Sequence, residues 1–147
     1  RDTDRSRGLG DVYKRQGAYD SRLLSYAAFS GRGSSELPYE KPDLTAPGVS
    51  ITAPRTGGDY GSYTGTSFAV PFVSGSAALL MEWGIIKGND PYLYGEKVKA
   101  YLRRGARPLP EYKQYPNYEV GWGALCVTQS LPQERIAPST DRISPVT

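Results

Sequence analysis

Tyr63-Thr64-Gly65-Thr66-Ser67-Phe68-Ala69-Val70-Pro71-Phe72-Val73-Ser74-Gly75 is the stretch on which the fold of this chain turns. It passes from a Gly- and Tyr-rich approach into the longest uncharged segment of the sequence. Between Ser67 and Met81 no side chain ionises, and Ala, Val, Phe, Leu and Met point in every helical direction. A helix that is apolar all round is a buried one. Up to Met81 it falls short of the roughly 20 residues needed to cross a bilayer, so a core helix is expected rather than a membrane span. Ser67 then sits where a tight Gly-Thr turn hands over to the N-terminus of that helix.

That position has chemical consequences. The first turn of a helix carries unpaired N–H groups and the positive end of the macrodipole. A hydroxyl there lies beside donors able to stabilise an oxyanion forming next to it. Gly65 is expected to let the backbone approach closely, and Thr66 to cap the helix. Pro71 has no N–H to return to the Ser67 carbonyl, which opens the first turn just behind the hydroxyl. The same residues also fit a plainer role, with Ser67 as a helix cap and nothing more.

The wording of the motif goes further than its physics. Gly65-Thr66-Ser67-Phe68-Ala69-Val70-Pro71-Phe72-Val73-Ser74-Gly75 closely resembles the nucleophile motif of the subtilisin-like serine proteases, the subtilases. Lys41-Pro42-Asp43-Leu44-Thr45-Ala46-Pro47-Gly48-Val49 resembles the segment that precedes it in the family. Gly17-Ala18-Tyr19-Asp20-Ser21 and Phe29-Ser30-Gly31-Arg32-Gly33 resemble two earlier landmarks, and Val120-Gly121-Trp122-Gly123-Ala124-Leu125 a late one. They stand in the family's order between residues 17 and 131. The resemblance implies an α/β fold, a partial subtilisin-like three-layer arrangement with a mostly parallel sheet between helices, truncated on its N-terminal side. It also implies a serine endopeptidase in which Ser67 forms an acyl-enzyme, with Gly65 and Thr66 beside the substrate.

What the chain lacks bears on this directly. It contains no histidine, so no imidazole can serve as general base. In the family the acid, the base and an oxyanion-hole asparagine all precede the serine, and their segments would lie upstream of Gly17. Phe72 stands where many subtilases carry a second histidine that is not the base. The fragment alone is therefore expected to be inactive, with its missing N-terminal part as a partner. The competing expectation is a pseudoprotease, folded like a subtilase but used for binding or as a scaffold.

Composition narrows the rest. The chain has 147 residues, with 18 Lys and Arg against 15 Asp and Glu, a net charge of +3. These cations are spread along the chain, so a nucleic-acid surface is not expected. Protein or peptide substrates are the partners the resemblance implies, in an extracellular or cell-envelope setting. No cofactor is implied; family members often bind structural calcium, but no acidic loop here has ligand spacing. Cys126 is the single cysteine. It lies in the apolar run Ala124-Leu125-Cys126-Val127 and is expected as a buried structural thiol.

Residues 1–16 differ in character from the rest of the chain. Tyr13-Lys14-Arg15-Gln16 would bury two cations in a core strand running into Gly17. Asp11 to Gln16 also resembles translated adapter read-through, and the prefix is expected to be foreign. Residues 17–131 form the subtilase portion, and 132–147 a polar tail too poor in apolar surface to fold. Within the portion, strands are expected at Gly17–Asp20, Leu44–Ala46, Val49–Thr52 and Tyr60–Thr64. The apolar helix should end at Gly84. Asp90-Pro91 reads as a helix start, with Tyr94, Val98, Tyr101 and Leu102 on one face and Glu96, Lys97, Lys99 and Arg103 solvated on the other. Asp20 and Asp43 are read as structural carboxylates. Gly121-Trp122-Gly123-Ala124-Leu125-Cys126, with a following Ser130-Leu131-Pro132, looks most like subtilases of anaerobic spore-forming bacteria.

Overall fold

A computed structural model describes residues 16–34 and 41–132. The stretches read as a foreign prefix (1–16) and a polar tail (132–147) fall almost wholly outside the described residues. Gln16, counted with the prefix, is half-buried and pairs with Leu44.

Strand β1 (Gln16–Asp20) is the centre of the sheet. Gly17, Ala18 and Tyr19 are buried in succession, as in a strand covered on both faces. Strand β2 (Ser25–Tyr26) pairs with it antiparallel, and β3 (Leu44–Pro47) pairs parallel, in the order β2-β1-β3. The far edge of β3 is closed by the late landmark: Thr45 N–H donates to the Gly123 carbonyl at 2.9 Å and Leu125 N–H to the Thr45 carbonyl at 2.7 Å. A separate antiparallel hairpin joins β4 (Ile51–Pro54) to β5 (Tyr60–Tyr63), with Ile51 opposite Tyr63. Among the described residues, parallel pairing is confined to β1–β3 and the Thr45–Ala124 bridge. The short links 21–24 and 55–59 can return the chain only antiparallel, because a parallel return needs a crossover.

Helix α1 (Thr66–Met81) continues without a break through a π-helical turn, Glu82–Ile86. Gly84 does not end it. A Cβ at Gly84 would lie 2.6 Å from a Leu93 methyl, so the glycine admits Leu93 to the core instead. The whole helix spans 21 residues, enough by length and composition to cross a membrane. The expectation from length is thereby overturned; the core assignment rests instead on packing. Ala69, Val73, Ser76 and Leu80 are buried, and α1 packs on β1 and β3. The opposite face is open: Val70 and Phe72 are 41% exposed, Leu79 50% and Met81 38%. Burial all round, expected from the sequence, is realised on one side only.

Helix α2 (Glu96–Arg104) starts later than Asp90-Pro91, with Gly95 at its N-cap and φ of 57°. Asp90 instead organises the preceding turn, accepting the Tyr92 N–H at 3.3 Å and pairing with Lys97 at 2.6 Å. Val98 and Leu102 are buried and Tyr101 half-buried, whereas Tyr94 lies before the helix and is exposed. Helix α3 (Val127–Ser130) is the short stub expected after the late landmark. The main core gathers Ala18, Leu44, Ala46, Val73, Leu80, Leu93 and Leu102 between the sheet and these helices. A smaller cluster of Tyr19, Leu109, Val120 and Ala124 anchors the Pro- and Tyr-rich loop that begins at Arg107.

Candidate active site

Ser67 is the second residue of α1 and is exposed. The N-cap is Gly65, and no side chain caps the helix, so Thr66 does not play the capping role expected of it. The Phe68 N–H is committed to the Gly65 carbonyl at 3.1 Å. Among the described residues this leaves the Thr66 and Ser67 amides as the open donors of the first turn. The positive end of the helix dipole and at least one free N–H thus sit at the hydroxyl.

The turn is held from below by backbone. Gly65 N–H donates to the Gly48 carbonyl at 2.8 Å, and Gly48 N–H donates to the Tyr19 carbonyl at 3.1 Å. A Cβ at Gly48 would stand 2.6 Å from the Ala18 Cβ. At Gly65 the nearest atom to such a Cβ is 3.6 Å away, on the Phe68 ring, and the backbone is extended (φ 159°). The glycine demanded by close approach is therefore Gly48, not Gly65. The Tyr63 and Phe68 rings stack at 5.0 Å across the turn. Thr64 Oγ1 accepts the Ser50 N–H at 2.9 Å, where Ser50 has a left-handed φ of 52°.

A buried charge cluster lies at the start of β3, around Asp43. Asp43 is 1% exposed and faces Lys41 at 3.0 Å, Lys99 at 3.8 Å and Arg103 in direct contact. Lys41 and Lys99 are themselves 6% and 7% exposed. Burial pulls the Lys41 ammonium below the usual lysine range, and the Asp43 carboxylate opposes that pull. Lys99 and Arg103 are thus not a solvated face. Their i,i+4 spacing puts both on the side of α2 turned to β3, and only the buried position of Asp43 distinguishes them from surface cations. Asp20 accepts the Arg22 N–H at 2.8 Å and the Leu23 N–H at 3.3 Å within a turn, the structural role read for it. Cys126 is half-buried rather than buried, an extended residue at the N-cap of α3.

The Ser67 hydroxyl is thus exposed on the first turn of a helix packed on the sheet, beside the ends of the parallel strands β1 and β3. The model of the subtilase family matches residues 17–123, and the chain belongs to that family, whose members are serine peptidases. It is 32% identical over 120 residues to the serine protease AprX of Bacillus subtilis, covering 72% of this chain and 25% of that protein. It is 53% identical over 55 residues to the subtilisin of Bacillus pumilus, covering 37% of this chain and 18% of that one. Among solved structures, the CspB protease of Clostridium perfringens matches with a TM-score of 0.74 and 43% identity, over 78% of this chain and 24% of that chain. The prenylagaramide maturation protease PagA matches with a TM-score of 0.64 and 31% identity, over 80% and 40% respectively. The chain therefore spans about a quarter of the length of AprX and of the CspB chain.

Proposed function

We propose that this chain is the C-terminal portion of a subtilase catalytic domain whose complete form hydrolyses peptide bonds, with Ser67 as the nucleophile. The observation that carries the proposal is the exposed Ser67 on the first turn of α1, its turn tied by backbone to β1 through Gly48. Ser67 Oγ attacks the scissile carbonyl and gives its proton to a histidine from the upstream part, forming an acyl-enzyme that water then hydrolyses. The Ser67 N–H contributes to the oxyanion hole, while Gly65 and Thr66 border the bound peptide. The aspartate of the triad comes from the same upstream part. No organic cofactor is needed for this chemistry. The family match over residues 17–123 supports the subtilase portion read for 17–131, and residues 1–16 as a foreign prefix are part of the same proposal. Secreted or cell-envelope residence is the setting proposed for the complete protein.

Labelling of the complete gene product with a fluorophosphonate tests this reading. The label is expected on Ser67, and Ser67→Ala should lower kcat roughly a million-fold, the loss associated with this serine in subtilisin. The 147-residue chain alone should show no turnover of a fluorogenic peptide, since a lone hydroxyl is a poor nucleophile at neutral pH. Label on another residue, or activity surviving Ser67→Ala, would refute the assignment. An unlabelled but folded complete protein would favour the pseudoprotease.

A further inference from the structure

The hairpin and the nucleophile turn are out of step by one residue. In the β4–β5 ladder Ile51 stands opposite Tyr63. The next rung is made by a side chain, from Ser50 N–H to Thr64 Oγ1 at 2.9 Å. The rung after that joins Gly65 N–H to the Gly48 carbonyl at 2.8 Å. Between the first rung and the last, one strand runs from Tyr63 to Gly65 while the other runs from Ile51 to Gly48. Val49 is the surplus residue, as in a β-bulge, and it packs against the main core. Such bulges bend a strand and redirect the residues beyond it.

We propose that this step aims Ser67, and that Thr64 is the positioning residue that pins it. The inference rests on the nucleophile role proposed for Ser67. Ser50 has a left-handed φ of 52°, and its N–H is held across the step by Thr64 Oγ1. Without that acceptor the hairpin is free to slip toward the register in which Val49 faces Gly65. That slip would shift the Gly65 peptide and rotate the entry into α1, moving Ser67 Oγ relative to its base. Displacements near 1 Å from the attacking geometry are enough to slow a reaction substantially. Thr64 is itself exposed, so trimming its hydroxyl opens no cavity. Its effect should therefore fall on catalysis more than on stability.

The test uses the complete gene product, with peptide kinetics, fluorophosphonate labelling and thermal melting measured together. Thr64→Val, which keeps the shape and removes the acceptor, should lower kcat and labelling rate about 10-fold. KM should stay within about 2-fold and the melting temperature within a few degrees. Thr64→Ser, which restores the acceptor, should recover kcat to within about 2-fold. Unchanged kcat in Thr64→Val overturns the proposal. So does a loss of stability that tracks the loss of rate, or failure of Thr64→Val and Thr64→Ala alike to fold, since the bond would then only hold the hairpin. Inactivity of Ser67→Ala beside full activity of Thr64→Val would sink the positioning role alone. An inactive wild-type protein, or an active Ser67→Ala, removes both readings.

Discussion

The two faces of α1 have nearly the same composition and opposite environments. Ala69, Val73, Ser76 and Leu80 lie closed against the sheet, whereas Val70, Phe72, Leu79 and Met81 look outward. Nothing local separates Leu79 from Leu80; one is 50% exposed and the other 0%. A Cβ added at Gly75 meets nothing within 4 Å, although glycine in a helix interior usually marks a close neighbour. Under the function proposed above, the difference is explained by a helix that is covered on two sides in the complete protein. This chain supplies one covering layer, in keeping with its match to about a quarter of the length of AprX and of the CspB chain. The proposed upstream part is the natural occupant of the other side.

The comparison can be broken most severely at the closed side, at the start of β3. Asp43→Ala leaves Lys41, Lys99 and Arg103 facing one another without their shared carboxylate. A loss of about 3–5 kcal/mol is expected, the cost of stripping one partner from a buried ion cluster. Denaturant titration followed by circular dichroism measures it, and a change under about 1 kcal/mol would show the cluster to be solvated.

Paired substitutions across α1 sharpen the contrast. In this chain Leu80→Ala should cost about 2–5 kcal/mol as a buried truncation. Leu79→Ala, on the open face, should stay within about 0.5 kcal/mol. In the complete protein the two losses should converge, because Leu79 would also be buried. Persistence of the difference there, read from the two unfolding midpoints, would mean that no second layer covers the helix.

Gly75→Ala is the mildest probe. With open space around the position, the chain should gain about 0.5–1 kcal/mol from the better helix former. In the complete protein the gain should vanish or reverse if a neighbouring backbone approaches Gly75. Calorimetry of both forms decides it, and an equal gain in the two would leave the glycine without a packing reason.

Much of the fold was legible in the residues. The uncharged run from Ser67 marked α1, and the turn residues of 55–59 marked the hairpin. Gly17–Asp20 and Leu44–Ala46 fell on β1 and β3. Errors gathered where a tertiary neighbour outweighed a local signal. Gly84 reads as a stop, yet Leu93 needs its missing Cβ and the helix carries on. Asp90-Pro91 reads as a helix start, yet Asp90 is engaged with Tyr92 and Lys97, and α2 begins at Glu96. Lys99 and Arg103 read as solvated because charge on a helix usually is; a carboxylate from a distant strand draws them in.

By itself the sequence determined the family, through ordered landmarks from Gly17 to Leu125, and singled out Ser67 through the motif around it. It also determined that no histidine of this chain can serve that serine. Only the tertiary structure decided which glycine makes the close approach, since Gly48 and Gly65 look alike until Ala18 is placed against one of them. It alone decided that the exposed Thr64 ties down Ser50, and that one side of α1 stays open. The physical reason is shared. Motifs and helical periodicity are properties of neighbours along the chain, whereas steric exclusion, charge pairing and burial depend on residues far apart in sequence that only the folded backbone brings within a few ångströms.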